Sequence, residues 1–70
     1  MYKENVAARL KAARIECQMS QYKVAEKLNL KQPNIASYET GRTEPDLETL
    51  GMLAQLYCHT VDYFLGLAND

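Results

Sequence analysis

A chain of 70 residues is long enough for one domain and leaves little material for a separate active-site cleft, so we expect residues 1–70 to form a single domain. No apolar run approaches the roughly 20 residues that span a bilayer, and the N-terminal segment lacks the apolar core of a secretory signal. These features predict a cytoplasmic protein without membrane contact. The last residues, 68–70, are expected to fray.

The formal net charge of −1 conceals an uneven distribution along the chain. All eight Lys and Arg residues lie within positions 1–42 together with four acidic residues, whereas five acidic residues and no basic ones follow. The first part therefore carries +4 and the second −5, which would orient a polyanion toward the first part. The alternative is an ordinary solvated surface, since the overall balance is acidic rather than strongly basic.

Residue types that form metal or catalytic sites are sparse. Cys17 and Cys58 are far apart in the sequence, and His59 has no further ligands at a workable spacing. We expect two free, mostly buried thiols, with no metal, cofactor or small-molecule ligand. No paired nucleophile and base and no Gly-rich phosphate loop is evident, so the sequence predicts a protein that is not an enzyme.

The apolar pattern predicts an all-α fold of five helices. The first helix runs from about Lys3 to Cys17. Ser20 offers a hydroxyl cap to the second helix, and Asn29 suits the left-handed turn that ends it. The apolar stripe of the first helix consists of Val6, Leu10, Ala13 and Cys17.

The remaining helices have equally local signals. The third begins near Gln32 with Pro33 in its first turn, where a missing N–H is tolerated, and ends at Gly41. Asp46 and Thr60 are suitable caps for the fourth and fifth helices. The apolar stripes of these last two helices are Leu47, Leu50, Leu53, Ala54 and Tyr57 in one and Val61, Phe64 and Leu65 in the other.

Residues 21–40 have the outline of a helix-turn-helix. Val24 and Leu28 share one face of the second helix at i, i+4 spacing, and the small Ala25 allows a second helix to approach closely. In such a motif the second of the two helices enters the DNA major groove. The residues that can meet the Val24 face from the other side are Leu30, Ile35 and Tyr38.

The segments RLKAAR, MSQYKVAEKL, NIASYETGRTEPDLETLGMLA and TVDYFLG carry a resemblance to a known family. They are similar to the Cro/C1-type (XRE) helix-turn-helix family of bacterial and phage repressors, particularly to the DNA-binding domain of lambdoid phage repressors. The resemblance runs from Arg9 to Gly66, more than four-fifths of the chain. It implies a compact, lambda repressor-like five-helix bundle.

The resemblance also implies roles for individual residues. Gln21 matches the position whose side-chain amide and backbone N–H meet a DNA phosphate, and Lys31 and Arg42 are expected to contact phosphates as well. Arg14 and Glu39 match a pair that forms a partly buried salt bridge between the first and third helices. The alternative in each case is a solvated surface side chain.

Base reading is expected from the exposed face of the third helix. Gln32 and Asn34 can each form a bidentate pair with adenine, Pro33 could press on a thymine methyl, and Ser37 is a less selective reader. Lys31 departs from the family, because its side chain cannot accept a backbone N–H as the usual Ser or Thr cap does. Cys58 stands where Gly is common, so the chain either adopts a left-handed conformation there at some cost or leaves the fourth helix in another way.

These features favour a sequence-specific DNA-binding transcription regulator, a repressor that binds a short palindromic operator as a homodimer at the nucleoid. The second hypothesis is a protein-interaction module, such as an antitoxin or an antagonist of another regulator, that uses the acidic C-terminal half and the apolar run at residues 63–65. Candidate residues for the dimer surface are Tyr57, Tyr63, Phe64 and Leu67.

Overall fold

Five helices form the computed structural model, which describes residues 2–67. The expected fraying of residues 68–70 lies outside the described residues. The part of the chain that is described contains no β-strand, so the predicted all-α five-helix bundle is confirmed. The helices are α1 (Tyr2–Glu16), α2 (Gln21–Leu28), α3 (Gln32–Thr40), α4 (Leu47–Tyr57) and α5 (Val61–Leu65).

Side-chain caps fix the starts of three helices. Ser20, Asp46 and Thr60 each precede a helix in extended conformation, and each side-chain oxygen accepts the backbone N–H of the residue three positions later, at 3.0, 2.8 and 3.0 Å. These bonds satisfy N–H groups that the helix itself leaves free. The bond from the Thr49 N–H lowers the pKa of the Asp46 carboxyl. All three predicted caps are confirmed.

Left-handed residues end four of the helices. Asn29, Gly41, Cys58 and Gly66 have φ values of 58, 78, 61 and 79°, and the N–H of each donates to carbonyls of the preceding turn. Asn and Gly tolerate this conformation, whereas the Cβ of Cys58 approaches a carbonyl oxygen there. The expected left-handed turn at Asn29 is therefore confirmed, and of the two alternatives at Cys58 the structure adopts the left-handed one.

The core lies where all five helices converge. Its five largest fully buried side chains come from five different helices, so every helix contributes one of them. Each such side chain contributes on the order of 1.5–3 kcal/mol by leaving water. The orientation of α2 and α3 is thereby tied to the rest of the domain. These side chains are Leu10, Val24, Ile35, Leu53 and Phe64.

The structure corrects the predicted burial of the cysteines and of Leu47. Cys17 and Cys58 are free but exposed, because each follows the end of a helix, where the chain turns away from the core. Leu47, assigned to the apolar stripe of α4, is 81 % exposed, because it is the first residue of α4 and its side chain lies outside the core that buries Leu50.

Two of the four predicted dimer-surface residues are also wrong. Tyr57 and Phe64 are 3 % and 0 % exposed and pack in the core with their ring centroids 6.4 Å apart, so they offer no surface to a partner. Burial raises the pKa of the Tyr57 hydroxyl. Tyr63 is half-buried beside the His59 ring at 4.1 Å, and Leu67 is exposed.

The strain at Cys58 gives a stability prediction. Cys58→Gly should raise the free energy of unfolding by about 1 kcal/mol. A left-handed residue with a Cβ costs roughly 1–2 kcal/mol, and part of the gain from removing the Cβ is offset because glycine increases the conformational entropy of the unfolded chain. Urea denaturation measures the change. Cys58→Ala is the matched control, since it removes the thiol but keeps the Cβ; equal stability of the two variants would contradict the strain.

Candidate nucleic-acid interface

The α2–α3 pair meets through a short turn at residues 29–31. The Leu30 N–H donates to the Ala25 carbonyl at 2.8 Å and closes the reversal. Val24, Ala25 and Ile35 are buried between the helices and the core, with Leu28, Leu30 and Tyr38 packed around them. The predicted helix-turn-helix packing is therefore present, and α3 is held with one face inward and one face toward solvent.

The outward face of α3 forms an open concavity of about 600 Å³. Gln32, Pro33 and Ser37, three of the four residues predicted to read bases, line this concavity, and Arg42 lies at its end. Asn34 is exposed but does not line it. Ala36 and Thr40, which were not predicted, share this face with Gln32 because they follow it at spacings of four and eight residues.

A buried ion pair holds the inward face of α3 against α1. Arg14 Nε donates to Glu39 Oε2 at 2.7 Å and Arg14 Nη2 donates to Glu39 Oε1 at 3.1 Å, with side-chain exposures of 13 % and 3 %. Arg14 Nη1 also donates to the Met19 carbonyl at 2.9 Å. The hydrogen bonds to Glu39 raise the pKa of the Arg14 guanidinium. Both residues of the predicted pair therefore meet.

Two glutamine side chains connect Glu39 of the ion pair to the surface by hydrogen bonds. Gln21 Nε2 donates to Glu39 Oε1 at 3.0 Å, and Gln32 Nε2 donates to Gln21 Oε1 at 2.9 Å. Gln21, expected at a phosphate, and Gln32, expected at a base, are thus direct neighbours. Sequence reasoning gave no sign of this contact, because the residues lie on different helices and eleven positions apart.

Two basic residues flank α3. Lys31 precedes the helix in extended conformation and forms no side-chain cap, as its chemistry predicts, and Arg42 follows the glycine that ends it. Both are exposed. In the first turn of α3, Pro33 has no N–H and the Asn34 N–H donates to the Lys31 carbonyl at 3.0 Å, so the Gln32 N–H is the one without a side-chain cap or a backbone acceptor in this turn. This N–H and the nearby cation of Lys31 are a favourable arrangement for an anion such as a phosphate.

The chemistry available on this face is hydrogen bonding and apolar contact. It presents one side-chain amide, two hydroxyls, a proline ring and methyl groups, with Lys31 and Arg42 at the two ends of the helix. In the described part of the chain no group of three or more His, Cys, Asp or Glu side chains is placed to hold a metal ion. None of the described helices combines the length and apolarity that crossing a bilayer requires.

Comparison with known proteins gives a consistent result. The family model for helix-turn-helix domains matches residues 10–57, about two-thirds of the chain. The chain belongs to the Cro/C1-type helix-turn-helix family. Domains of this family bind DNA in transcription regulators, which are generally non-enzymatic.

Curated relatives of the helix-turn-helix domain come from Bacillus subtilis strain 168. The HTH-type transcriptional regulator ImmR is 40 % identical over 62 residues, covering 89 % of this chain and 49 % of ImmR. The uncharacterized HTH-type transcriptional regulators YobD and YqaE are 36 % and 34 % identical, covering 89 % and 100 % of this chain and 55 % and 58 % of theirs. The chain thus spans about half the length of these relatives.

The buried pair gives a second prediction. Glu39→Leu alone should lower the free energy of unfolding by about 3–5 kcal/mol because it leaves the largely buried charge of Arg14 without its carboxylate, with only the bond to the Met19 carbonyl remaining. Arg14→Met with Glu39→Leu should recover much of that loss. A double-mutant cycle followed by thermal unfolding measures the coupling.

The exposed Lys23 and Glu26 pair is the matched control. Lys23 Nζ lies 3.4 Å from Glu26 Oε1, and the two side chains are 54 % and 73 % exposed. A double-mutant cycle on this pair should therefore give a coupling energy of only about 0.2–0.5 kcal/mol. Strictly additive effects of the Arg14 and Glu39 substitutions would refute the coupling of the buried pair.

Proposed function

We propose that this protein is a sequence-specific DNA-binding regulator, a transcriptional repressor that binds a short palindromic operator as a homodimer. The observation that supports this most directly is the outward face of α3, where amide, hydroxyl and methyl groups line one concavity between the flanking cations Lys31 and Arg42. This is the chemistry that reads base edges while phosphates hold the helix in register. Such a protein works at the nucleoid, in the cytoplasm.

Gln32 is the proposed principal reader. Its amide keeps one N–H and its oxygen after the bond to Gln21, which suffices for a bidentate pair with adenine. Pro33 and Ala36 offer apolar contact to thymine methyls, and Ser37 a hydroxyl that either donates or accepts. Asn34 lies outside the concavity, so we assign it a contact at the edge of the site.

Phosphate contacts are assigned to residues around this face. Gln21 begins α2, so its backbone N–H and the remaining hydrogen of its side-chain amide are available to a phosphate beside a helix N-terminus. Lys31 and Arg42 add charge at either end of α3. Together they set the register of α3 without reading the sequence.

A second copy of the chain is the proposed occupant of an apolar cavity near this face. The cavity, about 340 Å³, has a mostly apolar lining that includes the highly exposed Leu47 and two carboxylates. The lining residues are Val6, Glu44, Pro45, Asp46, Leu47, Leu50 and Leu65. Two residues of the loop separate Arg42 from Pro45, so a partner here would lie beside the DNA-facing surface.

The size of the domain also supports a side-by-side pair. Half-sites on one face of the duplex are roughly 34 Å apart, and the domain measures 28 × 23 × 20 Å. Of the residues first expected at the dimer surface, Tyr63 and Leu67 remain as peripheral candidates. The apolar run at residues 63–65, on which the protein-interaction hypothesis relies, is not an exposed surface, because Phe64 is buried and Tyr63 and Leu65 are half-buried.

Selection of bound duplexes from a random library, followed by sequencing, tests the proposal. A sequence-specific dimer should enrich an inverted repeat whose half-site centres are about 10 base pairs, or one helical turn, apart. A library that remains unenriched at low salt would overturn the DNA-binding proposal, and enrichment of a single unrepeated half-site would overturn the dimer.

Readers and phosphate contacts should respond differently to alanine. Gln32→Ala should weaken binding to the enriched duplex by about 1–3 kcal/mol and leave binding to random DNA nearly unchanged. Arg42→Ala should weaken binding to both duplexes and reduce the slope of log K against log salt by about 0.9. Fluorescence anisotropy titrations at several salt concentrations measure both. Equal losses on the two duplexes for Gln32→Ala would remove Gln32 as a reader.

The dimer surface gives a further prediction. Leu47→Glu should weaken binding to the full inverted repeat by about 100-fold, because linked half-sites typically gain 10²–10⁴ in affinity, and should not alter binding to one half-site. Ile15→Glu is the matched control, since Ile15 is 57 % exposed but does not line the cavity. Equal binding of the two variants to the full repeat would contradict this surface.

A further inference from the structure

The concavity on α3 contains an apolar strip formed by Pro33, Ala36 and Thr40. All three residues line the concavity, and they share one face because they follow one another at spacings of three and four residues. Pro33 has no N–H, the Ala36 side chain is a methyl group, and the Thr40 hydroxyl donates its hydrogen to the Ser37 carbonyl at 3.2 Å. The apolar strip therefore has no hydrogen to donate to a base edge.

A pyrimidine presents one apolar group in the major groove, the methyl group on C5. Thymine has this methyl group and an acceptor at O4, whereas cytosine has no methyl group and a donor at N4. 5-Methylcytosine keeps the N4 donor of cytosine and carries its methyl group on the same atom as thymine. Pro33 and Ala36 form no side-chain hydrogen bond with O4 or N4, so they distinguish these bases by the methyl group alone.

We infer, on the basis of the proposed function, that this protein responds to methylation of cytosine at C5 within its binding site. At the pyrimidine that faces Pro33 and Ala36, the chain binds 5-methylcytosine more tightly than cytosine, by the factor that also favours thymine over uracil. The expected factor is about fourfold, which corresponds to removing one methyl group from water. A site with cytosine at this position therefore gains affinity when that base is methylated.

The exposure of the apolar strip makes such a contact accessible. Pro33 and Thr40 are exposed and Ala36 is half-buried, and the concavity that they line is open to solvent and holds about 600 Å³. A methyl group that enters it replaces water at the strip while Gln32 and Ser37, which line the same concavity, remain available to base edges.

Four duplexes measure the methyl group in two hydrogen-bonding backgrounds. Each carries the enriched inverted repeat with thymine, uracil, cytosine or 5-methylcytosine at one pyrimidine of one half-site, paired with adenine or guanine as the base requires. Thymine differs from uracil, and 5-methylcytosine from cytosine, only in the C5 methyl group. Every base pair contains one pyrimidine, so a scan along the half-site finds the position in contact. Both ratios of dissociation constants, measured by fluorescence anisotropy, should be about fourfold there.

Protein variants assign the effect to the apolar strip. Pro33→Ala removes two ring carbons and Ala36→Gly removes the methyl group, so each should lower both ratios below about twofold. Ala12→Gly is the matched control, because it makes the same change at an exposed position of α1 that does not line the concavity, and it should keep both ratios. Circular dichroism and thermal unfolding establish that each variant is folded. If Ala36→Gly does not fold, Pro33→Ala decides the question.

The outcomes distinguish this inference from the function on which it rests. Failure of the wild-type chain to enrich any duplex would overturn the proposed function and the inference together. Enrichment with both ratios within about 1.5-fold of unity at every pyrimidine would overturn the inference alone, and so would a thymine preference without a 5-methylcytosine preference. Undiminished ratios in folded Pro33→Ala would do the same, because the methyl group would then act through the shape of the DNA.

Discussion

The buried pair of Arg14 and Glu39 is the interaction on which the outward face of α3 depends. Removing two charges from water offsets much of their attraction, so the pair contributes little net stability compared with apolar side chains of similar volume. Its consequence is geometric, because the bidentate contact joins the end of α1 to the end of α3. The same carboxylate then receives Gln21, which connects α2 and the surface residue Gln32 to this point.

The position of the outward face of α3 is fixed by contacts on its inward face, because side chains on the two faces alternate along one rigid helix. Ile35 and Glu39 point inward at a spacing of four residues, and Gln32 and Ala36 lie outward at the same spacing. Ile35 packs in the core and holds α3 against the other helices, and Glu39 on the same inward face pairs with Arg14 of α1. The position of the outward face of α3 therefore depends on interactions made on the opposite side of the helix.

Local chemistry made most of the fold predictable from the sequence. The caps at Ser20, Asp46 and Thr60 and the left-handed turn at Asn29 depend on one residue and its immediate neighbours. The buried pair came from the family resemblance, since residues 14 and 39 have no local relationship. The exposure of Leu47, the burial of Tyr57 and Phe64 and the bond between Gln21 and Gln32 depend on how the helices are arranged in space, which periodicity within each helix does not determine.

A crystal structure of the domain bound to its enriched duplex tests the central claim most directly, namely that the buried ion pair and the core hold α3 with the proposed base-reading face outward. We expect α3 in the major groove, with the bonds from Gln21 to Glu39 and from Gln32 to Gln21 retained and the Gln32 oxygen facing adenine N6. A complex in which α3 lies outside the groove, or in which Gln32 reaches the base after breaking its bond to Gln21, would contradict it.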